Sequence, residues 1–446
     1  MVEGPVLLLI LLGAIIFIVL FTAKIKWHPF IVLLLAAYGV GLAAGMEANE
    51  IIKAITGGFG GTLGSIGIVI AAGTIIGFIL EKSGAALVMA NSVIKLVGES
   101  RSALAMAFTG GIVSIPVFCD SGFVILSPLN RSLAARSKES LSVYAIALSL
   151  GLYATHVFVP PTPGPIAAAG TLNADLGIVI LLGIVVSIPS ILAGYFFAKT
   201  FASKIYIDPK PETIQRETSN PEELPSVGKS FAPIIVPVIL IALKSIADYP
   251  SKPFGTGWLQ TFFSFIGNPN TALIIGVFLA FLTVKKITDK VTNDWVAEGM
   301  KNAGLIILIT GAGGALGSVL RATPIDTYLS DVFGGAQLGL LLPFLLSAAI
   351  KTVQGSSTVA IITTASIISP ALGALGLASG VGPALAVLAI GAGAMTVSHA
   401  NDSYFWVVAQ FSDMSVPQAY KLQTLGTLVE GVVGILSVIV LSLFLL

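Results

Sequence analysis

Asp120 lies in the run Phe118-Cys119-Asp120-Ser121-Gly122, inside an otherwise apolar stretch. An ionised carboxylate at membrane depth costs about 3 kcal/mol unless it is paired or wet. A carboxyl so placed suits a group that takes up and releases a proton. It could also be a tip carboxylate that caps the next helical arm through backbone N–H groups. Ser121 and Gly122 beside it offer a hydroxyl and close backbone approach. A second polar island, Gly355-Ser356-Ser357-Thr358, opens a helical arm that runs on from Val359. A helix N-terminus carrying hydroxyls suits a carboxylate ligand, although plain N-capping accounts for any one of them. Lys351 lies just before this tip. A lone ammonium so deep needs a partner, which could be a substrate carboxylate, Asp120 or Asp402.

Only three histidines occur, His28, His156 and His399. His156 precedes Val-Phe-Val-Pro-Pro-Thr-Pro-Gly-Pro, with four prolines in residues 160–165. These cannot continue a helix, so the span must unwind around Thr162. Unwound backbone at depth is tolerated only against protein or water. His399-Ala400-Asn401-Asp402-Ser403 is the counterpart later in the chain. Either histidine reads as a proton relay or as a packing residue. Proton coupling is therefore expected of Asp120, His156, Asp402 and His399. Substrate contacts are expected of Ser121, Gly122, Thr162, Lys351, Gly355, Ser356, Ser357, Thr358 and Asn401. No metal or cofactor is expected, since Cys119 is the only cysteine and H-E-x-x-H is missing. The glycine-rich runs at 57–64 and 311–317 are not phosphate loops, because the first lacks the Gly-Lys-Ser/Thr ending and both lie in apolar stretches. They read as close helix packing. Without an ATPase motif, uphill transport must draw on an ion gradient.

The elements that position these residues are membrane spans. Of the 446 residues, 55% are hydrophobic and 10% charged, against about 25% charged in soluble domains. That composition excludes a soluble fold, and a net charge of +1 recruits no nucleic acid. The first apolar run is followed, not preceded, by Lys24 and Lys26, which reads as a retained span and not a signal peptide. Apolar runs near 5–23, 28–45, 62–80, 141–159, 177–199, 232–248, 270–284, 302–320, 381–398 and 424–446 predict about ten helical spans. Residues 103–130, broken at FCDSG, and 338–372, broken at VQGSST, read as re-entrant hairpins. The first hairpin should have a leading arm of about 16 residues and a shorter second arm. Two short packed spans joined by a turn would be the alternative. Two further helices are broken, after His156 and around His399.

The polar, proline-bearing stretch 203–230 divides the chain into 1–202 and 231–446. Gly73–Leu80 matches Gly313–Leu320 at an offset of 240, the tips CDSG and QGSS at 235, and His156 and His399 at 243. Lysine and arginine near span ends favour the cytoplasm, which puts the first loop and the linker inside and both termini outside. An odd number of spans per half then inverts the second. The predicted fold class is an all-α polytopic membrane protein with two inverted-topology repeats, two re-entrant hairpins and two broken helices, an architecture of secondary transporters.

The strings GGTLG (60–64), GFVILSPL (122–129), VPPTPGP (159–165), QGSSTVA (354–360) and SHANDSYFW (398–406) resemble those of the gluconate permease family of gluconate:proton symporters. The resemblance runs nearly end to end. It implies a bacterial cytoplasmic membrane carrier within the ion transporter superfamily, whose structures have inverted repeats with re-entrant hairpins, often in homodimers. It also implies uptake of gluconate or a related sugar acid with protons. Two departures stand out: the family usually has Glu where Asp120 stands and often His where Thr162 stands. Lys351 is similar to the basic residue common at this place in gluconate carriers. Other members take D-serine or related acids, and glycerate belongs on the same panel. Rival readings are a sodium-coupled carrier of the same fold and an intramembrane hydrolase using Ser121 with His156. The hydrolase is disfavoured, because both residues have near-equivalents in the other half and catalysis needs one asymmetric site.

Overall fold

Without water, a spanning segment must satisfy every backbone N–H and C=O internally, and a single helix does so. The computed structural model describes residues 2, 4–98, 101–209, 224–248, 254–324, 339–400 and 402–446, and its secondary structure there is helical throughout. The first helices are α1 (Pro5–Val19), α2 (Pro29–Ala43), α3 (Ala48–Lys82), α4 (Ala85–Val97), α5 (Ser102–Val113) and α6 (Cys119–Ser137). Next come α7 (Leu141–Phe158), α8 (Pro163–Thr171), α9 (Leu176–Thr200), α10 (Val227–Ala247), α11 (Trp258–Ile266) and α12 (Pro269–Phe281). The last are α13 (Val296–Arg321), α14 (Leu341–Gln354), α15 (Ser357–Ile368), α16 (Gly382–Met395), α17 (Ser403–Phe411) and α18 (Leu425–Leu445).

The centre is made by α7 and α16, whose residues are all buried. Peripheral helices turn large apolar side chains outward, such as Leu9 and Ile16 on α1 and Leu436 and Leu443 on α18. In water this would be an aggregation surface, whereas against lipid it costs nothing. Among the described residues six helices are long and apolar enough to cross a membrane, or eight if each of two bent pairs is one span. That is fewer than the ten expected. Residues 28–45 and 381–398 contribute helices of only 15 and 14 residues, roughly 21–22 Å long.

The long α3 also differs from expectation, because residues 48–61, which fall between the expected spans 28–45 and 62–80, are its first turns. Glu47, Glu50 and Lys53 make that stretch look polar, yet Ile51 and Ile55, one turn apart, are buried. Packing against α13 makes the segment helical. A Cβ at Gly58 would lie 2.5 Å from the Gly314 carbonyl oxygen, and one at Gly314 would lie 2.0 Å from Thr62 Oγ1. The two glycine-rich runs are thus where the two longest helices meet.

The first break falls before the expected motif. α5 ends at Val113 and α6 starts at Cys119, so the arms have 12 and 19 residues instead of a longer first arm. Pro116 lacks an N–H and stops the helix there, which puts Asp120 in the first turn of α6. The second break is at the expected Gly355-Ser356, where Gly355 has φ +95°. Helix α7 ends before the proline run and α16 ends before His399, both as the sequence predicted.

Four helical arms start around these breaks. α6 runs beside α17, with Asp120 at Ser403 (3.5 Å) and Arg131 at Asp413 (2.8 Å). α15 runs beside α8, with Thr358 against Gly164 and the Ser369 hydroxyl donating to the Thr171 carbonyl at 3.2 Å. In each pair an arm from one part of the chain lies along an arm from the other.

Helix α3 holds two breaks in place. A Cβ at Gly73 would sit 2.9 Å from the Pro161 carbonyl oxygen, and one at Gly77 would sit 2.1 Å from that of Pro116. Gly77→Ala should therefore force backbone apart and destabilise the fold by about 1–3 kcal/mol. Gly57→Ala, with nothing within 4 Å, should be neutral or slightly stabilising, because alanine is the better helix former. Melting temperatures of the two variants in detergent check this, and equal stability would refute the α3 contact.

Candidate functional site

Lys351 and Asp402 form the centre of the site. Lys351 is on the last turn of α14 and fully buried, and its Nζ lies 2.9 Å from Asp402 Oδ2. Asp402 is 7% exposed and caps α17 by accepting from the Tyr404 N–H at 3.0 Å. The Ser398 hydroxyl donates to Asp402 Oδ2 at 2.5 Å. Lys351 also donates to the Val397 carbonyl at 3.4 Å and sits 5.9 Å from the Tyr153 ring centroid. Of the two carboxylates open from sequence, Asp120 and Asp402, the geometry selects Asp402. The carboxylate is well satisfied, as a buried charge must be. Val397, a β-branched residue, has φ +51°. That is an outlier for such a residue, and it marks strain stored where α16 unwinds.

Asp120 is partly buried in the first turn of α6. Its Oδ1 accepts from the Ser403 hydroxyl at 3.5 Å, and Oδ2 lies 3.8 Å from the thiol of buried Cys119. Ser403 follows Asp402, so Asp120 reaches the residue next to the second carboxylate, and among the described residues only Asp402 of the two is ion-paired. Ser121 is half-buried, and Gly122 is pressed against Leu152. At the second tip, exposed Ser356 accepts from the Val359 N–H at 3.3 Å and caps α15. Ser357 is buried and Thr358 partly so.

The histidines separate. His156 is buried on the last turn of α7, stacked on Tyr153 at 6.5 Å, with Nδ1 lacking a partner. His399 is half-exposed, with Nε2 2.7 Å from the Thr352 carbonyl, which ties the α16 break to α14. The Thr162 hydroxyl donates to the Val159 carbonyl at 2.7 Å and so stabilises the proline break. Asn401 lies outside the described residues. Among the described residues no group of His, Cys, Asp and Glu could hold a metal ion.

Sequence reasoning passed over Ser398 and Tyr153 as individual residues. Ser398 stands four residues before Asp402 across a chain reversal. Tyr153 stands one helical turn before His156, a spacing that puts both on one face.

The model of the GntP family permeases matches residues 6–444. The chain belongs to this family. Relatives within reach of the GntP chain include the gluconate permease of Pseudomonas aeruginosa, 36% identical over 100% of this chain and 99% of that one. An uncharacterised permease of Haemophilus influenzae is 38% identical over 98% of this chain and 93% of its own length. The D-serine transporter of Escherichia coli is 33% identical over 97% of each. Among solved structures, the Alcanivorax borkumensis YdaH transporter matches with a TM-score of 0.68 at 16% identity, covering 94% of this chain and 99% of that one. At that identity the likeness is one of fold. The GntP chain is accordingly a multi-pass membrane permease and not an enzyme.

Proposed function

We propose that this permease imports gluconate or a closely related sugar acid together with protons, by alternating access at the Lys351–Asp402 pair. The observation that carries the reading is a buried lysine paired with Asp402, and a second carboxylate, Asp120, against Ser403, the residue next to Asp402. A substrate carboxylate would take Lys351 from Asp402. Asp402 left without its cation would be costly unless protonated, so anion entry and proton uptake become one event. Asp120 is the main proton acceptor, with Asp402, His156 and His399 as auxiliaries. Ser121, Ser357, Thr358 and Asn401 would bind hydroxyls, with the α15 N-terminus oriented to the carboxylate. Gly122 and Gly355 allow close backbone approach, while Ser356 and Thr162 shape the breaks.

Coupling has an energetic reason. A monoanion entering against 100 mV is opposed by about 2.3 kcal/mol, and one proton cancels that charge. We read residues 1–202 and 231–446 as inverted repeats joined by the 203–230 linker, with re-entrant hairpins at Asp120 and Gly355. The reciprocal pairing of α6 with α17 and α15 with α8 supports this. The placement is the bacterial inner membrane, with both termini outside, and a homodimer is the assembly the reading favours.

The test is uptake into proteoliposomes with and without an inward proton gradient, for gluconate, L-idonate, glycerate and D-serine. Gluconate or idonate accumulation that follows the gradient is expected. Uptake indifferent to pH but dependent on sodium, or confined to D-serine, would overturn the reading.

A further inference from the structure

Glu430 lies at the midpoint of the apolar span Val416–Leu445, on α18. It is fully buried, and among the described residues neither carboxyl oxygen has a hydrogen-bond partner. Buried polar groups are nearly always bonded, so one that is not calls for an explanation. At this depth an isolated carboxyl is stable only with its proton on. A second polar atom without a partner among the described residues, Gln423 Nε2, is buried seven residues earlier, in the π-helical turn that leads into α18.

The surroundings connect Glu430 to the α16 break. One turn before it, the Thr427 hydroxyl accepts from the Ser398 N–H at 3.0 Å, and the Ser398 hydroxyl donates to Asp402. A Cβ at the adjacent Gly431 would lie 2.3 Å from Thr396 and 2.9 Å from the Ala392 carbonyl oxygen, so the backbones of α18 and α16 touch beside Glu430. Any movement of the α16 break must therefore change what surrounds this carboxyl. Of the elements packed on α18, α16 has no titratable side chain. Helix α7 carries Tyr144, Tyr153 and His156, α9 carries Tyr195 and Lys199, the latter held by Glu139 at 2.6 Å, and the turn before α18 carries Tyr420 and Lys421. None of these bonds Glu430, and Tyr404 of α17 comes within electrostatic range of it.

We propose that Glu430 is a second proton-binding site of the transport cycle, loaded and unloaded when movement of the α16 break admits water, and only in a cycle that the proton on Asp120 drives. The inference rests on the proton-coupled reading above. The step is a simple ionisation: the carboxyl O–H bond forms on the acidic side and breaks on the other, and the proton passes to and from water. With one proton taken up through Asp120 and its auxiliary Asp402 and another by Glu430, each monoanion would enter with net positive charge.

The proton-to-gluconate ratio, obtained from reversal potentials in proteoliposomes of the full chain, tests this. About two protons per gluconate are expected for the native protein and about one for Glu430→Gln, with transport turning from electrogenic to electroneutral. Glu430→Leu should give the same ratio and fold at least as well, since an unpartnered polar group is replaced by an apolar one. Glu430→Asp should keep the native ratio. A measurable ratio that neither Gln nor Leu alters would make Glu430 a packing residue and overturn the inference. No proton flux with gluconate in the native protein would instead overturn the coupled reading itself.

Discussion

Lys351→Met should sharply lower the yield of folded protein, and adding Asp402→Asn should restore folding without restoring uptake. The ammonium and carboxylate lie 2.9 Å apart at 0% and 8% side-chain exposure. Removing one partner of such a pair strands the other, at about 3–5 kcal/mol. That is a large share of the stability of most folds. The double variant removes both charges together, and neutral side chains there can keep the Ser398 and Tyr404 hydrogen bonds. Uptake stays lost because nothing replaces the cation that receives the substrate carboxylate. Monodispersity after extraction, melting temperature and gluconate uptake measure the three quantities separately. A single variant as stable as the native protein would show that Asp402 is not stranded. A double variant that transports gluconate normally would remove Lys351 from the binding site.

Asp120→Asn should abolish accumulation while preserving part of substrate exchange. Among the described residues Asp120 has no cation partner, only the Ser403 hydroxyl and the Cys119 thiol. Asparagine can still accept from Ser403 and fill the same volume, so the effect on folding should be small. It cannot cycle a proton. One pH unit is worth about 1.4 kcal/mol per proton, a tenfold concentration ratio, and that ratio should fall to near one in the variant. Counterflow of labelled gluconate reports the exchange that remains. Normal accumulation by Asp120→Asn would transfer the coupling role to Asp402 or Glu430.

The residues differ in how far their roles could be read along the chain. The break after α7 was legible because Pro160, Pro161, Pro163 and Pro165 remove donors whatever surrounds them. The second tip was legible because Gly355 and Ser356 bring a positive φ and a cap, both local properties. The first break was placed too late. The polar FCDSG run drew attention, whereas the stop at Pro116 is reinforced by a tertiary contact, Gly77 against its carbonyl.

Composition and apolar run length by themselves determined a helical, multi-spanning protein, because backbone hydrogen bonding without water leaves only helices and closed barrels, and apolar runs of about 20 residues are too long for barrel strands. The short strings around Asp120, Thr162, Ser356 and Asp402 were enough to mark its family and the four places where helices break. Contacts between distant segments were decided only by the tertiary structure. It chose Asp402 over Asp120 for Lys351, a choice that depends on which carboxylate the fold brings within 3 Å. It turned residues 48–61 into helix through packing on α13. It also left Glu430, in the second turn of α18, with no hydrogen-bond partner among the described residues. An acid in an apolar run is visible in any sequence, but the absence of a partner is a property of everything packed around it.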